Sequence, residues 1–309
     1  MNRKELKKLI QGPIATVPTP FDEDYEVDYG RMYELTQQWV DEGLVKGRAV
    51  IKVAAAMGEG PMLRDDEWPY LLRTVVQAAN DKAAIVCGLH YKDTKRTIED
   101  ALRAQDMGAH ALQVCPPVFN LPSQNDIFDY FSDLSNAIDI GIMVYHTHWL
   151  SGGRIEVDTI LRMKELERVA SIKWSVPDDI DYDEMTKFAD DFSVIANGHA
   201  VKCHQLGGRG YINVTASAYP AHDLKIWDLL ENGKYDEAAK EFETVDGLLR
   251  DFGAKVDARS GGQARLPKAL MDVMGRSAGS SRPPSKPLTP NELSELKDLV
   301  GNQLGWPVV

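Results

Sequence analysis

Gly141-Ile142-Met143-Val144-Tyr145 is a short apolar run that ends on a polar group, and residues 170–174 (Ala-Ser-Ile-Lys-Trp) form a second such run. Nearly continuous apolar runs of this length are typical of strands buried on both faces of a parallel sheet. Working outward from these two, six further runs rich in Val, Ile and Ala predict strands at residues 14–17, 49–54, 84–87, 111–115, 193–196 and 210–214.

Amphipathic stretches lie between the predicted strands. Six of them predict helices, at residues 31–42, 65–80, 94–107, 126–136, 157–166 and 182–190. Alternating strands and helices indicate a parallel sheet, and eight such units in about 220 residues fit a closed (β/α)8 TIM barrel. A doubly wound open sheet is the competing fold, but no G-x-G-x-x-G motif follows the first strand.

The end of the chain has a different pattern. Four helices are predicted there, at residues 224–231, 235–252, 266–274 and 291–300. We therefore expect residues 1–220 to form the α/β barrel. Residues 221–309 would form a C-terminal helical extension that completes it, within a single structural unit.

Composition and charge exclude several classes of protein. The chain has 309 residues, 43% of them hydrophobic, and a net charge of −12. With no basic stripe, we expect no binding to nucleic acid. No apolar run approaches the roughly 20 residues that span a bilayer, so we expect no membrane partner and a cytoplasmic location. The three cysteines are widely spaced, which favours neither a disulfide framework nor a zinc site.

Two side chains stand at the ends of predicted strands, where barrels of this kind carry their catalytic groups. Lys173 lies near the end of an apolar run, where burial would lower its pKa and leave a neutral amine that can attack a carbonyl. Tyr145 ends the preceding run and has a hydroxyl that can shuttle a proton. The alternatives are a lysine that reaches solvent from the strand end and a tyrosine that only packs in the core.

Seven short motifs in order carry a resemblance to the dihydrodipicolinate synthase and N-acetylneuraminate lyase family. The first three are Thr19-Pro20-Phe21, similar to its T-P-F, Gly58-Glu59, at the end of its G-T/S-T-G-E loop, and Pro116-Pro117, before its paired tyrosines. Residues 145–152 resemble its Y-N-x-P-x-x-(S/T)-G segment, and Ile172-Lys173 its imine-forming I-K. Residues 206–216 resemble L-G-G-x-G-x-I-S-V-T-A, and residues 282–284 a late R-x-P.

The resemblance implies a class of reaction. Lys173 would form a Schiff base with a 2-oxo acid such as pyruvate, with Tyr145 as the acid/base partner and with neither an organic cofactor nor a metal. Backbone N–H groups of Ala56, Met57 and Gly198 would bind the substrate carboxylate. The family also suggests a homotetramer, a dimer of dimers, in which Phe119 would reach the partner's site.

Some positions depart from the family pattern. The two hydroxyl residues of the G-T-T-G-E loop are Ala56 and Met57 here, and a relay tyrosine is replaced by Phe119. The arginine that holds a second carboxylate in the synthases is replaced by Leu150. The spelling Leu150-Ser151-Gly152 is closer to the sialic-acid lyases, so Ser151 is a candidate substrate contact. These changes indicate a second substrate that differs from those of the best-known relatives.

Histidines occupy other family positions. His146 and His148 replace an asparagine and a proline, and His199 follows the Asn197-Gly198 turn. Three readings stay open: backbone hydrogen bonding, contact with a polar substrate for His146 and His148, and a three-histidine metal site. Trp149 and Trp174 are candidates for the pocket wall, with ordinary packing as the alternative.

The sequence therefore predicts a lyase that acts on a 2-oxo acid, by pyruvate-dependent aldol cleavage or condensation. Dehydration or deamination of a 2-oxo-3-deoxy acid through the same imine is the first alternative. A catalytically silent binder of oxo acids is an alternative of another class, although the presence of both Lys173 and Tyr145 speaks against it.

Overall fold

The computed structural model describes residues 1–90 and 92–309. Eight parallel strands close into a barrel in which each strand pairs with the next and β8 pairs with β1. This confirms the predicted (β/α)8 class. The strands are β1 Gly12–Thr16, β2 Val50–Val53, β3 Ala84–Leu89, β4 Ala111–Val114, β5 Gly141–Tyr145, β6 Val169–Trp174, β7 Ser193–Ala196 and β8 Gly210–Asn213.

Helices surround the barrel and continue beyond it. The N-terminal helix and those between strands are α1 Arg3–Leu9, α2 Tyr29–Asp41, α3 Glu67–Ala79, α4 Thr94–Asp106, α5 Gln124–Ala137, α6 Val157–Arg162 and α7 Ala200–Gln205. The C-terminal helices are α8 Pro220–Glu231, α9 Tyr235–Asp257, α10 Arg265–Val273 and α11 Pro290–Asp298. Among the described helices, none is both long and apolar enough to cross a bilayer.

Two predicted helices differ from the structure. The segment after β6 forms 3₁₀ turns at Tyr182–Lys187 instead of an α-helix, and the segment after β5 ends as a 3₁₀ turn at Met163–Glu165. Helix α7 was not predicted, since its six residues are too short to display a helical period.

The strands are almost wholly buried because side chains point alternately into the barrel and out to the helices. On β5, Ile142 and Val144 belong to the outer core, while Met143 belongs to the cluster inside the barrel. Leu6 and Ile10 lie in the same inner cluster and close the amino-terminal end of the barrel. The interior is therefore apolar at that end, and polar side chains gather at the other.

Candidate active site

A cavity of about 250 Å³ opens at the carboxyl ends of the strands. Its walls come from six strands, the loops after β2, β5, β7 and β8, and one residue of the C-terminal segment. The lining residues are Thr16, Lys52, Ala55, Ala56, Met57, Gln113, Tyr145, Trp149, Lys173, Asn197, Ile212, Asn213, Val214 and Gln263.

Lys173 and Tyr145 are neighbours across the β5–β6 ladder, so their side chains point to the same face of the sheet. The Nζ atom of Lys173 lies 3.7 Å from the centroid of the Tyr145 ring. Each side chain is only 6% exposed. The two residues that the sequence singled out thus share one wall of the cavity.

Burial determines the protonation of Lys173. Removal from water disfavours the ammonium form and lowers the pKa of Lys173 from 10.5 to about 7. Near neutral pH a large fraction of this amine is therefore free to act as a nucleophile, which an exposed lysine is not.

The loop after β2 brings backbone to the cavity. It forms a 3₁₀ turn at Ala56–Gly58, and the first N–H groups of such a turn have no acceptor within it. The turn is held firmly: Thr19 donates a hydrogen bond to the Gly58 carbonyl at 2.6 Å, and buried Lys268 forms an ion pair with Glu59 at 2.8 Å. A Cβ on Gly60 would lie 1.7 Å from the Ala54 carbonyl oxygen, so only glycine fits there.

A second buried lysine was missed in the sequence. Lys52 on β2 is 1% exposed, and its Nζ donates a hydrogen bond of 2.8 Å to Oε1 of Gln113. Burial, and then the charge of Lys173, hold the pKa of Lys52 well below its usual value of 10.5. The signal that identified Lys173, a lysine within an apolar run, is also present here in Val50-Ile51-Lys52-Val53.

His90 follows β3 and stands near both amines. Its Nε2 lies 3.2 Å from the Ala54 carbonyl oxygen. Burial lowers the pKa of His90 to about 4, and the charges of Lys52 and Lys173 act in the same direction. His90 is therefore uncharged at neutral pH.

His146 does not lie in the cavity, contrary to its prediction as a substrate contact. Tyr145 points inward, so the next residue points outward, and His146 is fully buried with its ring 5.9 Å from that of Trp174. Burial lowers the pKa of His146 to about 4. Trp174 follows inward-pointing Lys173 and packs against Phe188. Trp174 is thus a core residue, whereas Trp149 lines the cavity.

The other candidates lie at the margin. His148 contacts the rings of His146 and Trp149, and Ser151 is exposed in the following turn, so neither lines the cavity. Phe119 is 84% exposed. Gly198 lines a neighbouring cavity, while Asn197 before it lines this one.

The three histidines do not converge on one site. His199 contacts the ring of Tyr182 edge to face, whereas His146 and His148 contact each other. Over residues 1–90 and 92–309, no group of three or more His, Cys, Asp or Glu side chains is placed to hold a metal ion.

Comparison with known proteins gives the family. The model of the dihydrodipicolinate synthetase family matches residues 9–303. The chain belongs to the dihydrodipicolinate synthetase family. The resemblance inferred from the motifs is therefore confirmed, and the chain is a lyase that acts on a 2-oxo acid.

Curated members of this family are similar over nearly the whole chain. 4-Hydroxy-tetrahydrodipicolinate synthase 1 of Halalkalibacterium halodurans is 27% identical over 94% of this chain and 96% of its own length. The 4-hydroxy-tetrahydrodipicolinate synthase of Heliobacterium modesticaldum is 28% identical over 93% of each chain.

Solved structures support the fold. The crystal structure of dihydrodipicolinate synthase from Aquifex aeolicus superposes with a TM-score of 0.85 at 22% identity, over 97% of this chain and 99% of that one. YagE from Escherichia coli, solved in complex with pyruvate, superposes with a TM-score of 0.84 at 20% identity, over 96% of this chain and 99% of that one.

Proposed function

We propose that this enzyme performs pyruvate-dependent aldol cleavage or condensation, with Lys173 as the imine-forming nucleophile. The observation that carries the proposal is a buried amine, with its pKa lowered to about 7, in the cavity at the catalytic end of the barrel. A lysine in this state combines the two properties that Schiff-base chemistry needs, a free lone pair and a position beside a bound carbonyl.

The reaction begins when the Lys173 lone pair attacks C2 of the 2-oxo acid. The carbonyl oxygen leaves as water with the two amine hydrogens, and one proton from the surroundings makes the imine cationic. In cleavage, the C4 hydroxyl loses its proton, the C3–C4 bond breaks to release an aldehyde, and the electron pair moves into the cationic imine to form an enamine that is then protonated at C3. In condensation, the pyruvate imine loses a proton from C3, and the resulting enamine attacks the aldehyde. Tyr145, whose ring faces the amine, is the group we assign to proton transfer at the carbinolamine and at the aldol oxygen.

The substrate carboxylate is assigned to the turn after β2. Ala56 and Met57 line the cavity across the barrel from Lys173, and the contacts of Gly58, Glu59 and Gly60 fix the geometry of their turn. Backbone donors are independent of side-chain type, so this role survives the loss of the family's hydroxyl residues. Asn197, rather than Gly198, is the residue near β7 that faces the substrate.

A specific observation favours the alternative of dehydration or deamination. Ala56 and Met57 present no hydroxyl to Tyr145 on the cavity wall, so a relay of the usual kind is missing there. A hydroxyl of the substrate itself would then take over the role of these two side chains in proton transfer, which suits the loss of water from a 2-oxo-3-deoxy acid.

We further propose a cytoplasmic homotetramer in which exposed Phe119 packs at a subunit interface. Phe119 is 84% exposed in the single chain and Leu121, two residues on, is 68% exposed; this supports the assignment because neighbouring exposed apolar side chains can form a contact surface.

One experiment divides the candidate functions. The protein is incubated with a panel of 2-oxo acids and 2-oxo-3-deoxy acids, with and without borohydride, and the intact mass, released pyruvate and ammonia are measured. Stable adducts together with released pyruvate support the aldol assignment. Adducts with consumption of the acid but no release of pyruvate favour the dehydratase or deaminase. Adducts with no consumption of any acid favour the silent binder. No adduct with any acid would refute imine chemistry.

A further inference from the structure

Lys52 and Gln113 form a polar pair that the family reaction does not account for. Both side chains point into the barrel, since Ile51 and Val53 on one side and Leu112 and Val114 on the other belong to the outer core. Residues of the inner apolar cluster, among them Val50 and Ala111, lie beneath the pair. The pair therefore forms the polar floor of the cavity, in the layer that also contains Lys173.

The cavity combines two amines with no described carboxylate, in a protein that is acidic overall. Lys52 and Lys173 both line it, and none of the described lining residues is Asp or Glu, although the chain carries a net charge of −12. The charge of Lys173 disfavours the ammonium form of Lys52 in this buried space. A negatively charged ligand is the natural complement of such a site, because buried charges are stable only when they are paired.

Lys52 has unused hydrogen-bonding capacity. An ammonium group carries three N–H donors, and among the described residues the one hydrogen-bond acceptor found for Nζ is Oε1 of Gln113. Gln113 is itself 1% exposed and holds the amine in place. Because Lys52 lines the cavity, its other N–H groups can donate to a ligand bound there.

The position of Lys52 along its strand indicates which group it would meet. It lies on β2, and the same strand leads within four residues to the Ala56–Gly58 turn. Lys173 lies on β6, on the other side of the barrel. A 2-oxo acid joined to Lys173 through C2 would extend its carboxylate toward β2, between the turn above and Lys52 below.

We propose that Lys52 is a carboxylate-binding residue, positioned by Gln113, which selects the anionic form of the 2-oxo acid and pairs with it in the imine complex. This inference rests on the proposed function of Lys173. Lys52 would thus share the binding of the substrate carboxylate with the backbone of Ala56 and Met57.

The test compares pyruvate with pyruvamide, its neutral isostere, in borohydride trapping followed by intact mass. Lys52→Met keeps the length of the side chain and removes its charge. The matched control is Lys95→Met, at an exposed position of α4. We expect Lys52→Met to raise the pyruvate concentration for half-maximal trapping by about 10- to 100-fold, the size of a lost charged hydrogen bond. Trapping of pyruvamide should change by a clearly smaller factor, since a neutral amide forms no ion pair with Lys52 that the substitution could remove.

The pyruvamide arm separates recognition from nucleophilicity. A changed reactivity of Lys173, or a general loss of structure, would weaken both adducts equally, and that result would overturn the proposal. So would an unchanged preference for pyruvate. The double variant Lys52→Met, Gln113→Leu leaves no unpaired amide and gives the same comparison if the single variant is unstable. Failure of the wild-type protein to trap any 2-oxo acid would refute the proposed function itself, and this inference with it.

Discussion

Replacement of Lys173 by methionine should stabilise the folded protein, and the gain should depend on pH. The wild-type chain must bury this amine, whose folded-state pKa is about 7 and whose ordinary value is 10.5. Below pH 7 the amine is charged in both states, so folding carries the full penalty. Above pH 7 the folded amine is neutral while the unfolded one is still charged. The penalty therefore falls as the pH rises and disappears near 10.5.

The magnitude follows from the two pKa values. Linkage gives a penalty of roughly 5 kcal/mol at pH 6 and roughly 2 kcal/mol at pH 9. Lys173→Met removes the penalty, so its free energy of unfolding should exceed that of the wild type by about 3 kcal/mol more at pH 6 than at pH 9. Differences between variants cancel the titration of shared groups that do not interact with Lys173; Lys52 and His90 do interact with it.

The assay is urea unfolding of the ligand-free proteins at the two pH values, monitored by circular dichroism, with Lys95→Met as the control at an exposed position. The control should show no pH-dependent difference. An equal difference in the free energy of unfolding between Lys173→Met and wild type at pH 6 and pH 9 would show that burial does not lower the pKa of Lys173.

Three further outcomes are expected. The initial rate of borohydride trapping of pyruvate should rise with pH up to about 7 and then level off, following the free amine of Lys173; a rate still climbing steeply above pH 9 would contradict this. Tyr145→Phe should lower turnover by about 10²- to 10⁴-fold while thermal unfolding shifts little, and full activity in that variant would remove Tyr145 from the mechanism. Gly60→Ala should distort the Ala56–Gly58 turn, because its Cβ would lie 1.7 Å from the Ala54 carbonyl oxygen. We expect a loss of a few kcal/mol in the free energy of unfolding and weaker trapping of pyruvate. Gly261→Ala is the control, because nothing obstructs a Cβ there, and it should change neither property.

Much of the fold could be predicted because strands buried on both faces leave an unmistakable apolar pattern. All eight strands were found, and two of them, β5 and β7, with both ends correct. The short helical turns were harder. At residues 182–190 the pattern predicted an α-helix where the chain forms 3₁₀ turns at Tyr182–Lys187. Helix α7 has six residues, which contain too few helical periods for a pattern to emerge.

The candidate site could be predicted only in part. Lys173 and Tyr145 end their strands, where the fold brings side chains together. His146 was predicted to contact the substrate because of its position in the family motif. Side chains alternate along a strand, so His146 points to the opposite face from Tyr145, and this alternation could have been read from the sequence.

Other residues of the cavity depend on tertiary structure. Lys52 had the same signal as Lys173, a lysine in an apolar run, but it lies inside its run rather than at a motif. Gln263 comes from the segment after α9, and no local pattern places that segment over the barrel. Its position follows from the packing of the C-terminal helices alone.

Lys173 is assigned as the imine-forming nucleophile, but the same cavity contains a second candidate, Lys52. Lys52 is also a buried amine with a lowered pKa, so an intact mass does not tell the two apart. The most direct measurement is to trap the pyruvate adduct with borohydride, digest the protein and locate the modified lysine by tandem mass spectrometry. We expect one reduced pyruvyl group on Lys173 and none on Lys52. Modification of Lys52 with Lys173 unmodified would contradict the assignment of Lys173.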